Sequence, residues 1–257
     1  MDKIILKFHT TNQKRKIAYK KIEWELTNRP GVLFLGGLAS DMEGTKANYL
    51  AQWCQSNKNS FLRFDYSGHG QSSGSFQNCT ISDWVQDAYE MITEKTKGPI
   101  ILIGSSMGGW ISFLIYQKLR DRVAGLVTIA AAPDFTEDYF WSNFSNMQKS
   151  ELLSSGRIFL PSDYDEPYPI TLKLIEDGRN HLIFKKPLMV QCPIRMLQGT
   201  DDNSVEIQTA TKLLDHINCE NMRLTLVANA DHSFSSPSCL KLLERTIYEL
   251  IIEVGTF

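Results

Sequence analysis

The chain is short of cysteine, and its cysteines form no pattern. Cys54, Cys79, Cys192, Cys219 and Cys239 are odd in number, scattered, and make no C-x-x-C pair. That argues against a disulfide framework or a thiolate metal site and for a reducing compartment. An excess of charge is also missing: 27 Lys and Arg stand against 29 Asp and Glu, a net charge of −2. Nucleic acid is therefore not expected as a partner, and the short cluster Lys14-Arg15-Lys16 reads as a solvated turn. No stretch is long and apolar enough to span a bilayer, and the segment Met1 to Phe8 is too short an apolar run for a signal peptide. Stable membrane insertion is not expected, and a cytoplasmic location is. What is present, 257 residues with 42% hydrophobic side chains, suits one large α/β domain or one domain carrying an insertion.

Two short alternating runs, residues 3–9 and Lys16 to Ile22, flank a polar turn and read as an antiparallel hairpin. From there the rhythm becomes strand, loop, helix, repeated, the pattern of a mostly parallel sheet with helices on both faces. Strands are expected at Val32 to Leu35, Ser60 to Phe64, Pro99 to Ile103, Gly125 to Ala130, Ile194 to Gln198 and Met222 to Val227. Helices are expected over Thr45 to Gln55, Ser82 to Thr96 (capped by Thr80 or Ser82), Val205 to Asp215 and Cys239 to Ile252. Between Pro133 and Pro193 lie roughly 60 residues without a buried strand, far too many for an ordinary connection. We read residues 134–192 as a cap inserted into a core formed by 1–133 and 193–257. Phe135, Tyr139, Phe140, Trp141, Phe144 and Met147 crowd the first part of this insertion; ordinary packing against the core is the plain alternative for them. Pro161, Tyr164, Pro167, Tyr168 and Pro169 break it, and Ile170 to Asp177 reads as a second helix.

One stretch carries chemistry. Gly104-Ser105-Ser106-Met107-Gly108-Gly109 stands between the apolar run ending at Ile103 and the apolar helix beginning at Trp110. A serine at the tip of a sharp strand-to-helix turn needs small residues two positions before and after it, so that strand and helix can pass closely. Such a turn lifts the hydroxyl out of the sheet and sets it at a helix N-terminus, where free N–H groups can meet a developing oxyanion. Ser106 is therefore the candidate nucleophile.

A base must come from a loop at the carboxyl edge of the sheet. Of the five histidines, His9 precedes the core, His181 lies in the insertion and His216 ends a helix, where it is expected to meet terminal carbonyls. His232 follows the last strand and is the candidate base. An orienting acid belongs after the strand ending at Gln198, where Asp201 and Asp202 stand side by side. Periodicity does not choose between them; Asp231 is a third carboxylate, better suited to capping a turn. Met107 and Leu38 are the expected oxyanion donors through their backbone N–H groups, Leu38 because it follows Gly36-Gly37 after a strand end.

These segments, with Arg63-Phe64-Asp65-Tyr66-Ser67-Gly68-His69-Gly70, resemble the α/β-hydrolase superfamily over nearly the whole chain. The resemblance implies the α/β-hydrolase fold and makes the acid Asp202, the third residue after Gly199 and three before Val205. It gives His69 a structural role. Ile17-Ala18-Tyr19-Lys20-Lys21, Gly44-Thr45-Lys46-Ala47, Gly108-Gly109-Trp110 and Cys192-Pro193-Ile194-Arg195 look like the palmitoyl-protein thioesterase and acyl-glucuronide esterase type within it. The implied function is hydrolysis of ester or thioester bonds in a small-molecule or acyl-protein substrate, without cofactor or metal. The absence of a transit peptide before the first strand points to a bacterial relative or a trimmed chain. Gln198-Gly199 and Ser204-Val205-Glu206 depart from the common pattern and are expected to touch no catalytic group. A lysophospholipase, a C–C bond hydrolase, a peptidase and a non-catalytic ligand-binding protein of the same fold are the alternatives. A dehalogenase or epoxide hydrolase would need a carboxylate at Ser106.

Overall fold

A computed structural model describes residues 4–23, 29–160 and 167–255. Pro161 and Tyr164 of the insertion and Lys3 of the expected first strand lie outside the described residues.

The hairpin is β1 (Lys7–Thr10) and β2 (Lys16–Ile22), antiparallel in the register Lys7 to Tyr19. It joins β3 (Gly31–Leu35), β4 (Phe61–Phe64), β5 (Ile100–Ser105), β6 (Val123–Ile129), β10 (Ile194–Gly199) and β12 (Met222–Val227) in one sheet. The order is β1-β2-β4-β3-β5-β6-β10-β12, and every pairing from β4 onward is parallel. The carboxyl ends of β3, β5, β10 and β12 therefore share one edge.

Alternation along the strands divides the core. Leu33, Leu35, Leu62, Leu102 and Leu126 face α2 (Ile81–Lys95) and α3 (Met107–Lys118). Val32, Phe34, Ile101, Ile103, Val127 and Ile129 face the opposite cluster with α1 (Thr45–Ser56) and α7 (Pro237–Val254). Both faces of the central strands are buried, which is why they read as continuous apolar runs. The start of α2 is set by a capping box: Asp83 N–H donates to the Thr80 hydroxyl while the Asp83 carboxylate accepts from Thr80 N–H. Ser82, the other candidate cap, instead gives its N–H and hydroxyl to Asp177 at 2.8 and 2.7 Å.

Between β6 and β10 the chain makes a π-helical turn over Thr136–Trp141, then α4 (Asn146–Ser155), β7 (Arg157–Leu160), β8 (Tyr168–Thr171), α5 (Leu172–Gly178) and β9 (Leu188–Met189). After β10 come α6 (Ile207–His216) and β11 (Ile217–Asn218), the latter paired with β9. The hairpin β7–β8 is absent from the sequence expectation, which read its prolines only as breaks. Pro169 lies inside β8, opposite Phe159. A two-stranded sheet consists of edges, so a missing N–H is tolerated there; strands of four residues with a proline among them carry no readable alternation. Of the aromatic group, Phe135, Phe140 and Phe144 are buried and run from Trp110 outward through ring contacts of 5.5, 5.3 and 6.0 Å. Tyr139 and Met147 are exposed. The plain alternative, packing against the core, holds for the first three. The two ends of the segment are tied together: the buried Asp134 carboxylate accepts from the N–H groups of Ile183 and Phe184 at 2.8 and 3.0 Å.

Candidate active site

The site begins with backbone geometry. Ser106 has φ 55° and ψ −118° between β5 and α3, a conformation that costs on the order of 1–3 kcal/mol outside glycine. Its surroundings hold it there. Ser106 N–H donates to the Ile129 carbonyl at 2.9 Å, and the Ser106 carbonyl accepts from Gly109 and Ala132 at 2.9 and 3.1 Å. The glycines are required by close approach: a Cβ at Gly104 would fall 2.3 Å from the Gly108 carbonyl oxygen, and one at Gly108 would fall 2.1 Å from that of Leu35. Ser106 itself is half-buried. The Met107 N–H belongs to the first turn of α3, where amides have no intrahelical acceptor.

The loop after β3 passes directly beside the serine. A Cβ at Gly37 would lie 3.3 Å from Ser106 Cβ, so a side chain there would crowd the hydroxyl. Leu38 follows, and Ala39 takes φ 55°. This loop is braced from the loop after β4. Ala39 N–H donates to His69 Nε2 at 3.1 Å, and His69 Nδ1–H donates to the Ser67 carbonyl at 3.1 Å. Those two contacts require the neutral ring with its proton on Nδ1. Burial among Tyr66, Phe76 and Trp84 favours that state by lowering the pKa of His69 below the usual histidine value, against the pull of the Ser67 carbonyl. Asp65 adds a second brace, accepting from Met42 N–H and Gln71 N–H, both at 2.7 Å.

Asp202 and His232 are brought together by a pinned pair of loops. A Cβ at Gly199 would meet the Ala230 carbonyl at 2.1 Å. Asn229 N–H donates to the Thr200 hydroxyl, and Asp201 N–H to the Ala230 carbonyl. The Asp202 side chain is wholly buried, whereas the His232 ring is about one-third exposed; His232 Nδ1 lies 3.0 and 2.9 Å from the two carboxylate oxygens. Facing a carboxylate, Nδ1 carries the proton, which leaves Nε2 as an acceptor. Oδ1 of Asp202 also accepts from Ser204 N–H and Val205 N–H at 2.9 and 2.8 Å. Burial alone would raise the Asp202 carboxyl. The hydrogen bonds from His232, Val205 and Ser204 and the imidazole charge outweigh it and hold the group below the ordinary carboxylate range.

Of the remaining candidates, Asp201 is exposed, and Asp231 caps its own turn by accepting from Phe234 N–H and the Ser233 hydroxyl. His216 meets the carbonyls of Ile183 and Lys186 at 2.8 and 2.9 Å rather than those ending its own helix. His181 bonds the Ser82 hydroxyl at 2.7 Å. Ser106, Leu38, Met107, Asp202 and His232 all follow the carboxyl ends of parallel strands, at β5, β3, β10 and β12. Two further residues were not expected here. Lys46, in the first turn of α1, donates to the Ser233 carbonyl beside His232, and its ammonium pKa is lowered by burial despite the opposing charges of Asp231 and Asp202. Gln198 touches Asp202 directly, at 3.0 Å, as do the Ser204 and Val205 amides described above, which corrects the expectation that Gln198-Gly199 and Ser204-Val205-Glu206 contact no member of the site. The sequence signal for it was that Gln198-Gly199 departs from the common family pattern just before the Asp201-Asp202 loop.

A family model described as serine aminopeptidase, S33, matches residues 28–161. The bovine mitochondrial palmitoyl-protein thioesterase ABHD10 is 33% identical over 242 residues, 93% of this chain and 78% of that protein. Among solved structures, a chain from Agrobacterium vitis S4 superposes with a TM-score of 0.93 at 35% identity, covering 97% of this chain and all of that one. Mouse α/β-hydrolase domain-containing protein 10 superposes with a TM-score of 0.88 at 30% identity, over 97% and 99% of the two chains.

Proposed function

Since the chain belongs to the serine aminopeptidase S33 family of α/β-hydrolases, we propose that it cleaves carboxylic ester or thioester bonds through Ser106, His232 and Asp202. The observation that carries this reading is the Asp202–His232 pair, closed at 2.9 Å on a buried carboxylate, at the same sheet edge as a serine held at φ 55°. Ser106 Oγ attacks the acyl carbonyl carbon while His232 Nε2 takes its proton. Asp202 accepts the Nδ1–H, fixes the tautomer and stabilises the imidazolium. The tetrahedral oxyanion is met by the N–H groups of Leu38 and Met107, a pair whose single loss typically lowers rate by about 10²–10³-fold. His232 then protonates the leaving thiol or alcohol. Water, deprotonated by the same imidazole, releases the acid from Ser106. Residues 134–192 act as the cap over this edge. The named function of the bovine relative points to S-acyl groups as the substrate class.

The family's description favours a second reading, aminopeptidase action on amides. The two separate in a substrate series: acyl thioesters and oxyesters from acetyl to palmitoyl, set against N-terminal aminoacyl amides. We expect kcat/KM for thioesters or oxyesters to exceed that for amides by orders of magnitude and to rise with chain length. Faster cleavage of the amides would replace this reading with the second.

A further inference from the structure

Gln198 is the next-to-last residue of β10 and is 1% exposed. Its Nε2 lies 3.0 Å from Asp202 Oδ2, 3.0 Å from the Val205 carbonyl and 3.2 Å from the Gly199 carbonyl. Oε1, equally buried, has no hydrogen-bond partner among the described residues. This contact set forces the orientation of the amide. Exchanging nitrogen and oxygen would set an acceptor against two carbonyls and a carboxylate, all acceptors themselves. An orphaned buried oxygen is unfavourable, and an apolar side chain in the same space would leave none. The polar end therefore answers the acceptors around it, the Asp202 carboxylate and the Val205 and Gly199 carbonyls, rather than a need for packing.

His232 Nδ1 lies against both oxygens of Asp202, and the remaining hydrogen bonds divide between the two. Ser204 and Val205 amides converge on Oδ1, and Gln198 reaches Oδ2, the oxygen 2.9 Å from His232 Nδ1. Without Gln198, Oδ2 would be anchored by the imidazole alone. We propose that Gln198 is a positioning residue for the catalytic acid: its amide N–H fixes Oδ2 so that the carboxylate plane stays aligned with the His232 ring. The inference rests on the reading of Asp202 as the orienting acid. The charged groups within reach of that carboxylate are His232 from the loop before α7 and Lys46 from α1, with the exposed Asp201 and Asp231 beside them in the chain. A carboxamide does not titrate across the working range of a histidine base, so this donor is present at every pH at which the reaction runs.

Two variants test it. Gln198→Met keeps length and burial and removes the donor; Gln198→Glu keeps shape and exchanges the donor for a group that donates only while protonated. For each, kcat and KM on p-nitrophenyl acetate are measured from about pH 5 to about pH 9, with thermal unfolding and fluorophosphonate labelling of Ser106 followed by intact mass. For Gln198→Met we expect kcat to fall by about 10–10²-fold with KM little changed, as for a misaligned catalytic group. For Gln198→Glu we expect activity nearest that of the unaltered protein at the acid end. The ratio of the two should then fall as pH rises and the introduced carboxyl ionises against Asp202. A folded Gln198→Met protein with unaltered kcat overturns the proposal. So does a Gln198→Glu ratio that stays flat across pH, because a merely structural role would scale activity equally at all pH. If Gln198→Glu does not fold, the kcat of Gln198→Met decides alone. Should the unaltered protein take no label at Ser106, the triad reading fails and this inference falls with it. If it does label while both variants match it in kcat and pH profile, only the role of Gln198 is lost.

Discussion

Around Ser106 a single added methyl group would strike backbone oxygen at 2.3 Å from Gly104 or 2.1 Å from Gly108. On α4, by contrast, Met147 and Leu153 stand 81% and 61% exposed, and Leu152 alone of that helix is buried. These two regions are built under different constraints. The turn bearing the serine is fixed by backbone passing backbone, where neither side can yield. The segment between β6 and β10 is tied within itself by the Phe135–Phe140–Phe144 ring contacts, the Asp134 clasp and Thr136 against Gly178. It meets the core through side chains: Phe135 on Trp110, Asp177 on Ser82, and the Tyr116 hydroxyl accepting from Gln191 N–H. The turn tolerates no added carbon, whereas α4 presents a face on which side chains can change without striking the core.

The contrast can be broken at several places, and the expected effects differ by orders of magnitude. Replacing Ser106 by Ala should abolish ester turnover while thermal unfolding stays close to that of the unaltered protein; steady-state kinetics beside a melting curve would show it, and residual turnover would move the nucleophile elsewhere. Asp202→Asn should lower kcat by about 10⁴-fold, because the neutral amide admits the wrong imidazole tautomer. The exposed neighbour provides the control: Asp201→Asn should leave kcat unchanged, and the opposite ranking would reassign the acid. Gly108→Ala tests packing rather than chemistry. With the Leu35 carbonyl in the way, it should destabilise the fold by about 1–3 kcal/mol or more in urea titration; a neutral result would mean that strand and helix can part without cost. Within the insertion, Leu152→Ala should destabilise by about 2–5 kcal/mol and Leu153→Ala by no more than about 0.5 kcal/mol. Equal effects would erase the distinction between anchored and free faces of α4.

Legibility in the sequence followed the same division. β3, β5 and β6 are buried on both faces, so their apolar runs announce them, and G-x-S-x-G at a strand-to-helix boundary leaves few other readings. The position of His232 was legible because one histidine follows the last strand. Periodicity did not separate Asp201 from Asp202, since adjacent carboxylates on a loop differ only in which way the loop turns them. The family spacing from Gly199 and Val205 chose Asp202, and in space it is the Ser204 and Val205 amides that hold that carboxylate. The hairpin β7–β8 escaped because its residues pair only with one another. Lys46 and Gln198 escaped for another reason. Each acts across a distance in sequence or through a strand end, on Ser233 and Asp202 respectively; both stood in segments weighed against the family pattern, but likeness of a segment does not say what its side chain touches. His69 was legible as structural, but what it braces, the Ala39 amide of the loop beside the serine, emerges only from the fold.

The account stands or falls on whether Ser106 is an activated nucleophile. The most direct measurement is the intact mass of the purified protein after treatment with a fluorophosphonate, with Ser106→Ala treated in parallel. A single adduct on the unaltered protein, none on the variant, is the predicted result. An equal adduct on both would contradict it by placing the reactive group elsewhere, and none on either would bring a non-catalytic, ligand-binding role to the front.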